Sequence, residues 1–216
     1  MKATLVPDKL TPMDAKAVAL AFRSAYETVC GKTPSNACLA LMVAQSALET
    51  GRWKSIHCFN FGNVKASPDY EGYYCQFRCN EVINGKVEWF DPPHPQTNFR
   101  AFNSAEVGAV DHLLFLSRRK RYAKAWEVLQ TGMPLAFVDA LKSAGYFTAD
   151  AGPYSKAVAS LWREYMQLVE HLKDDEPEPT RPDNELALHE EALAAVRGYD
   201  PLAAVLEDRR EQLKEP

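Results

Sequence analysis

The feature that most constrains the fold is a change of period along the chain. Apolar residues recur at helical spacing up to Gly51 and again from Asn103 onward, whereas between residues 60 and 102 that period is lost and Gly, Pro, Asn and aromatic residues take over. Helical patterning on both sides of a turn-rich aromatic insert predicts a mainly α (α+β) protein, a helical body carrying a small β-hairpin lobe. Inside the insert, Gly72-Tyr73-Tyr74-Cys75-Gln76-Phe77-Arg78 and Lys86-Val87-Glu88-Trp89-Phe90 flank Asn84-Gly85. Asn-Gly between two such runs is the strongest short-range hairpin signal, so the two runs are read as the paired strands of the lobe.

Local punctuation then divides the helical body. Thr11 as N-cap, Pro12 at the first helical position and Asp14 at the third open a helix along Val18, Phe22, Tyr26 and Val29, which Gly31 stops. Ser35 caps a second helix whose apolar stripe is Leu39, Met42, Val43 and Ser46 and whose exit is Gly51. Asn103 with Glu106 reads as a capping box before Val107, Val110, Leu113, Leu114 and Phe115, a helix apolar enough for central burial. Further helices are expected at 120–131, at 134–144 between Pro134 and Gly145, and at 152–173. The body therefore spans 1–173, an acidic Pro-rich linker spans 174–183, and a C-terminal tail of two short helices spans 184–216.

Charge follows the same division. Residues 1–173 hold 20 Lys+Arg against 16 Asp+Glu, a balance of +4, while residues 174–216 hold 5 against 13, a balance of −8. A mildly basic body suits an anionic polymer and is equally ordinary for a globular domain, so charge alone selects no partner. Arg118-Arg119-Lys120-Arg121 is read as a solvated turn and not as a nucleic-acid site, because no wider basic surface supports it. No stretch reaches the ~20 apolar residues of a membrane span, and the first nine residues lack an apolar signal core. The five cysteines all fall in the first 80 residues, and the odd number argues against a disulfide scaffold. They are read as reduced thiols, with Cys30 and Cys38 the pair placed to oxidise. His57, Cys58, Cys75, Cys79 and His94 match no compact ligand knuckle, since Cys75 and Cys79 are four apart, and neither metal nor cofactor is expected.

One carboxyl group draws attention on physical grounds. Glu49 falls in the last turn of the second helix, beside Met42 at the edge of the apolar stripe. Burial and the negative end of the helix dipole both disfavour its anion, which is the direction a general acid requires. Position alone describes an exposed Glu closing a surface helix equally well.

Its surroundings separate the two readings. Ala44-Gln45-Ser46-Ala47-Leu48-Glu49-Thr50-Gly51-Arg52-Trp53 resembles the catalytic-helix signature of the glucosaminidase domain family, the lysozyme-superfamily group of flagellar muralytic enzymes, autolysins and phage lysins. Phe59-Asn60-Phe61-Gly62-Asn63-Val64-Lys65-Ala66 resembles a second family segment, without its usual Leu between Asn and Phe. Phe99-Arg100-Ala101-Phe102-Asn103-Ser104, Arg121-Tyr122-Ala123, and Ala144-Gly145-Tyr146 with Tyr154 resemble three more. Five ordered blocks between residues 44 and 157 are far more specific than any one of them.

The resemblance implies a lysozyme-like hydrolase of peptidoglycan in which Glu49 protonates the glycosidic oxygen at N-acetylglucosamine. Glu81 stands where the family carries its second acid; Glu88 and Asp91 are rivals, and the substrate's own acetamido group is a further alternative. Tyr122 is implied as a hydrogen-bond donor in the cleft, and half-buried core packing describes it equally well. Phe61 and Tyr146 are read as stacking platforms for sugar rings, with Gly62, Lys65 and Tyr154 also placed in substrate binding. Muramidase hydrolysis, lytic transglycosylation, and a non-catalytic wall-binding or virion-assembly module are the competing functions. The protein is expected to be made in the cytoplasm and to act on the cell wall as a phage lysin or virion component, with the tail available to a protein partner.

Overall fold

The computed structural model describes residues 3–83, 85–147 and 150–172. The linker expected at 174–183 and the tail expected at 184–216, with its protein partner, lie outside the described residues. In chain order the elements are β1 (Thr4–Leu5), α1 (Ala15–Cys30), α2 (Asn36–Glu49), β2 (Tyr73–Gln76), β3 (Cys79–Ile83), β4 (Lys86–Phe90), β5 (Asn98–Ala101), α3 (Ala105–Ser117), α4 (Ala123–Thr131), α5 (Pro134–Ser143) and α6 (Ala151–His171). The mainly helical fold with small sheets is the one the periodicity predicts. No described helix is long and apolar enough to cross a membrane.

Helix α2 is the axis of the body, packed against α1, α4 and α6. A helix with a single apolar stripe lies on a surface, but every residue from Cys38 to Ala47 is buried, so the stripe read from the sequence understates this helix. Its polar residues are satisfied internally: the Ser46 hydroxyl donates to the Phe61 carbonyl at 3.0 Å and accepts from Trp53 Nε1 at 3.1 Å.

Two caps differ from the expected ones. Asp14, not Thr11, caps α1, its carboxylate accepting from Ala17 N at 2.7 Å. Thr11 is occupied elsewhere, since its buried hydroxyl accepts from Phe59 N at 2.9 Å and donates to the Ile56 carbonyl. Ser104, not Asn103, caps α3 by accepting from Val107 N. Ser35 and Gly31 act as expected, at the start of α2 and the end of α1.

The β region also differs in pairing. Ile83 opposes Lys86, so the loop has only two residues and the hairpin joins β3 to β4 over Cys79–Ile83 and Lys86–Phe90. Gly85 takes the left-handed conformation that such a tight turn demands, with φ 76°. A two-residue loop fixes the partner of β4 as the segment immediately before it, which excludes 72–78. That stretch supplies β2 instead, antiparallel to β5 and parallel to β1 in a separate three-stranded sheet. The hairpin lacks clean alternation because β4 is exposed along most of its length.

Between α2 and the sheets the chain is unusual. Arg52, Trp53, Cys58, Phe59 and Asn63 all have positive φ. Each such non-glycine residue costs on the order of 1 kcal/mol or more and persists only where the surroundings over-determine it. Here Trp53 is sealed in the core, and the Asn60 side chain donates to the Val64 and Arg100 carbonyls while accepting from Val64 N.

Candidate active site

Helix α2 delivers Glu49 to the edge of a cavity of about 460 Å³. The rest of the wall comes from the strained connection (Gly62, Asn63, Lys65), the hairpin (Glu81) and the helical side (Phe115, Arg119, Tyr122, Tyr146). Residues from 49 to 146 thus converge on one space.

The carboxyl of Glu49 is pushed above the usual carboxylate range by burial, partly opposed by a hydrogen bond from the Tyr154 hydroxyl at 2.8 Å. Asn63 Nδ2 donates to the Glu49 carbonyl at 2.7 Å, tying the end of α2 to the connection.

Beneath the acid lies a buried polar chain. Gln45 Nε2 donates to the Tyr146 hydroxyl at 2.9 Å, which leaves Gln45 Oε1 to accept from His112 Nε2 at 2.8 Å. Burial lowers His112 to about 4, so the ring is neutral at ordinary pH. A neutral ring with its proton on Nε2 leaves Nδ1 without one, and Nδ1 has no hydrogen-bond partner among the described residues. Burial, then the Glu49 charge, pushes both the Tyr146 and the Tyr154 hydroxyls well up, keeping them as proton-bearing neighbours.

On the hairpin side, Glu81 pairs with Lys65 Nζ at 2.5 Å, and Lys65 also donates to Gln96. Glu88 sits directly opposite Glu81 in the hairpin, and Asp91 pairs with Arg78 at 3.0 Å. Neither rival lines the Glu49 cavity.

Of the residues predicted from sequence, Glu49, Gly62, Lys65, Glu81, Tyr122 and Tyr146 line one cavity, and Tyr154 bonds directly to Glu49. Phe61 is corrected: its ring is fully buried against Phe22 at 5.2 Å and offers no face to a sugar. Tyr122 is almost wholly buried, packs on Phe115 and Tyr146, and borders the cavity. Arg119, read as part of a solvated turn, faces the cavity. Gln45, Asn63 and His112 were missed. Gln45 is one helical turn before Glu49 and Asn63 lies inside a quoted motif, so both carried a local signal. His112 carried none.

The glucosaminidase family model, described as mannosyl-glycoprotein endo-β-N-acetylglucosaminidase, matches residues 24–167, about two thirds of the chain. A peptidoglycan hydrolase mutant from Sphingomonas sp. A1 superposes with a TM-score of 0.53 at 25% identity, over 70% of this chain and 98% of that one. A C-terminally truncated glycoside hydrolase domain of FlgJ from Salmonella typhimurium gives 0.48 at 24% identity, over 70% and 97%. None of the curated proteins matches. The match over most of the chain, on a helical body with a hairpin lobe, places the protein in the glucosaminidase family, as a glycoside hydrolase domain of lysozyme-like fold.

Proposed function

We propose that this protein hydrolyses the β-1,4 bond at N-acetylglucosamine in peptidoglycan, with Glu49 as general acid. The observation that carries the reading is a carboxyl that burial pushes above the usual carboxylate range and that borders a groove walled by Tyr122, Tyr146 and the hairpin. The Sphingomonas relative, a peptidoglycan hydrolase, supports the substrate class.

Protonation of the glycosidic oxygen by Glu49 releases the leaving sugar as positive charge grows at C1. Glu81, in the same cavity and ion-paired to Lys65, is the carboxylate assigned to face that charge or to orient water. Arg119 adds a cationic group to the cavity wall that suits the carboxylates of wall peptides. The setting we assign is a phage lysin or virion component acting on the cell wall.

Mass spectrometry of digested sacculi tests the reaction. New reducing-end N-acetylglucosamine is the expected product; reducing-end N-acetylmuramic acid would indicate a muramidase and an anhydro sugar a transglycosylase. Glu49→Gln is expected to lower the rate by roughly 10²–10⁴-fold with the fold retained. Wall lysis untouched by that change would remove Glu49 from the role of general acid, and wall binding without lysis by the wild type would leave a binding module in place of an enzyme. Glu81→Gln with full activity would hand the second role to the substrate's acetamido group.

A further inference from the structure

A second group of reactive side chains lies in the small core beneath the three-stranded sheet, where Cys58 and Cys75 are buried with Phe99 and Ala101. Asp8 joins them: one ligand atom from each of Asp8, Cys58 and Cys75 lies within 4.8 Å of the other two. These residues are far apart in sequence, and the backbone brings them together. β1 runs parallel to β2 and Val6 N donates to the Tyr74 carbonyl at 2.8 Å, which carries Asp8 beside Cys75. Cys58 N donates to the Lys9 carbonyl at 2.8 Å, which brings the third ligand alongside.

We propose that Asp8, Cys58 and Cys75 form a binding site for a zinc-class divalent cation. Two sulfurs and one carboxylate oxygen are a borderline-soft donor set, the kind that selects zinc over magnesium or calcium. Tetrahedral zinc with sulfur and oxygen ligands has ligand–ligand edges of about 3.6–3.8 Å, inside the spacing of this cluster. The carboxylate is already oriented, because His57 Nδ1 lies 2.7 Å from Asp8 Oδ1 and the imidazole is stacked on Phe77 at 3.9 Å. That outer partner is the usual support of a metal ligand. Cys58 also borders a cavity of about 430 Å³ with Pro7 and Lys9.

A divalent cation that binds here displaces the two thiol protons and takes both sulfurs as thiolates. The bound ion would cross-link β1, β2 and the start of the strained connection that carries Gly62, Asn63 and Lys65. Its role is to hold the fold, and it stands independently of the reaction assigned to Glu49.

The experiment uses the full chain, reduced and metal-free, titrated with zinc chloride alone and, as a spectroscopic probe, with cobalt chloride. One equivalent of zinc is expected, with release of two protons, a raised thermal midpoint, and a thiolate-to-cobalt charge-transfer band. Cys75→Ser should abolish the band; because that change lies in a core, Asp8→Asn at the exposed ligand is the second variant and should also remove stoichiometric binding. His57→Gln should weaken binding by about 10–100-fold. The proposal is overturned by absence of stoichiometric binding, by a cobalt band that survives Cys75→Ser, or by a Cys58–Cys75 disulfide in peptide maps of the native protein.

Discussion

At the scale of the residue, two opposing influences meet on Glu49: burial raises its carboxyl, and the Tyr154 hydroxyl favours the anion by donating to it. Removing that donor leaves burial unopposed. Tyr154→Phe is therefore expected to move the alkaline limb of kcat/KM to higher pH, by about one unit for an ordinary hydrogen bond to a charged group. The pH profile on soluble glycan fragments checks this, and a limb that stays in place would mean that another group titrates there. Glu49 was legible in the sequence because an ordered motif surrounds it. Tyr154 was legible as a cleft residue, but its bond to the acid was not, since 105 residues separate the two and only the packing of α6 against α2 joins them.

At the scale of the element, α2, α3 and the strained connection are locked to one another at Gly62. A Cβ there would lie 2.6 Å from His112 Nδ1 and 2.9 Å from Cε1, both in a fully buried ring. Gly62→Ala must displace His112 or the connection, and the expected cost is about 1–3 kcal/mol in urea unfolding. Because His112 holds Gln45, which in turn holds Tyr146, a fall in activity should accompany the loss of stability. A variant with wild-type stability and rate would show that the connection relaxes freely. The same scale explains the errors in cap and hairpin. Thr11 and Asn103 have suitable cap chemistry, but Thr11 is taken by the connection at Ile56 and Phe59, and Ser104 makes the cap of α3. Competition among long-range partners for one hydroxyl is not visible in a local window.

At the scale of the whole molecule, buried titratable groups set how stability varies with pH. His112 is lowered from 6.5 to about 4, so the unfolded chain gains its proton first and this contribution is lost as pH falls from about 6.5 to about 4, worth ~3 kcal/mol. Glu49 is raised, chiefly by burial, so its contribution is present at low pH and is lost as pH rises through the carboxylate range and beyond. The two trends oppose one another across mildly acidic pH. Glu49→Gln should match the wild type near pH 4 and become progressively more stable above it, exposing the acid-side loss from His112; urea midpoints at several pH values measure this, and a constant difference would refute it. On its own the sequence determined the helical body, the existence of a hairpin lobe and the family, because period, turn chemistry and short ordered motifs are local properties of the chain. Tertiary structure alone decided that Glu81 and not Asp91 borders the acid's cavity, that Phe61 is core, that His112 and Gln45 underlie the site, and that Asp8 meets Cys58 and Cys75. These are facts of convergence between distant segments, fixed by strand register and helix packing, which no local pattern encodes.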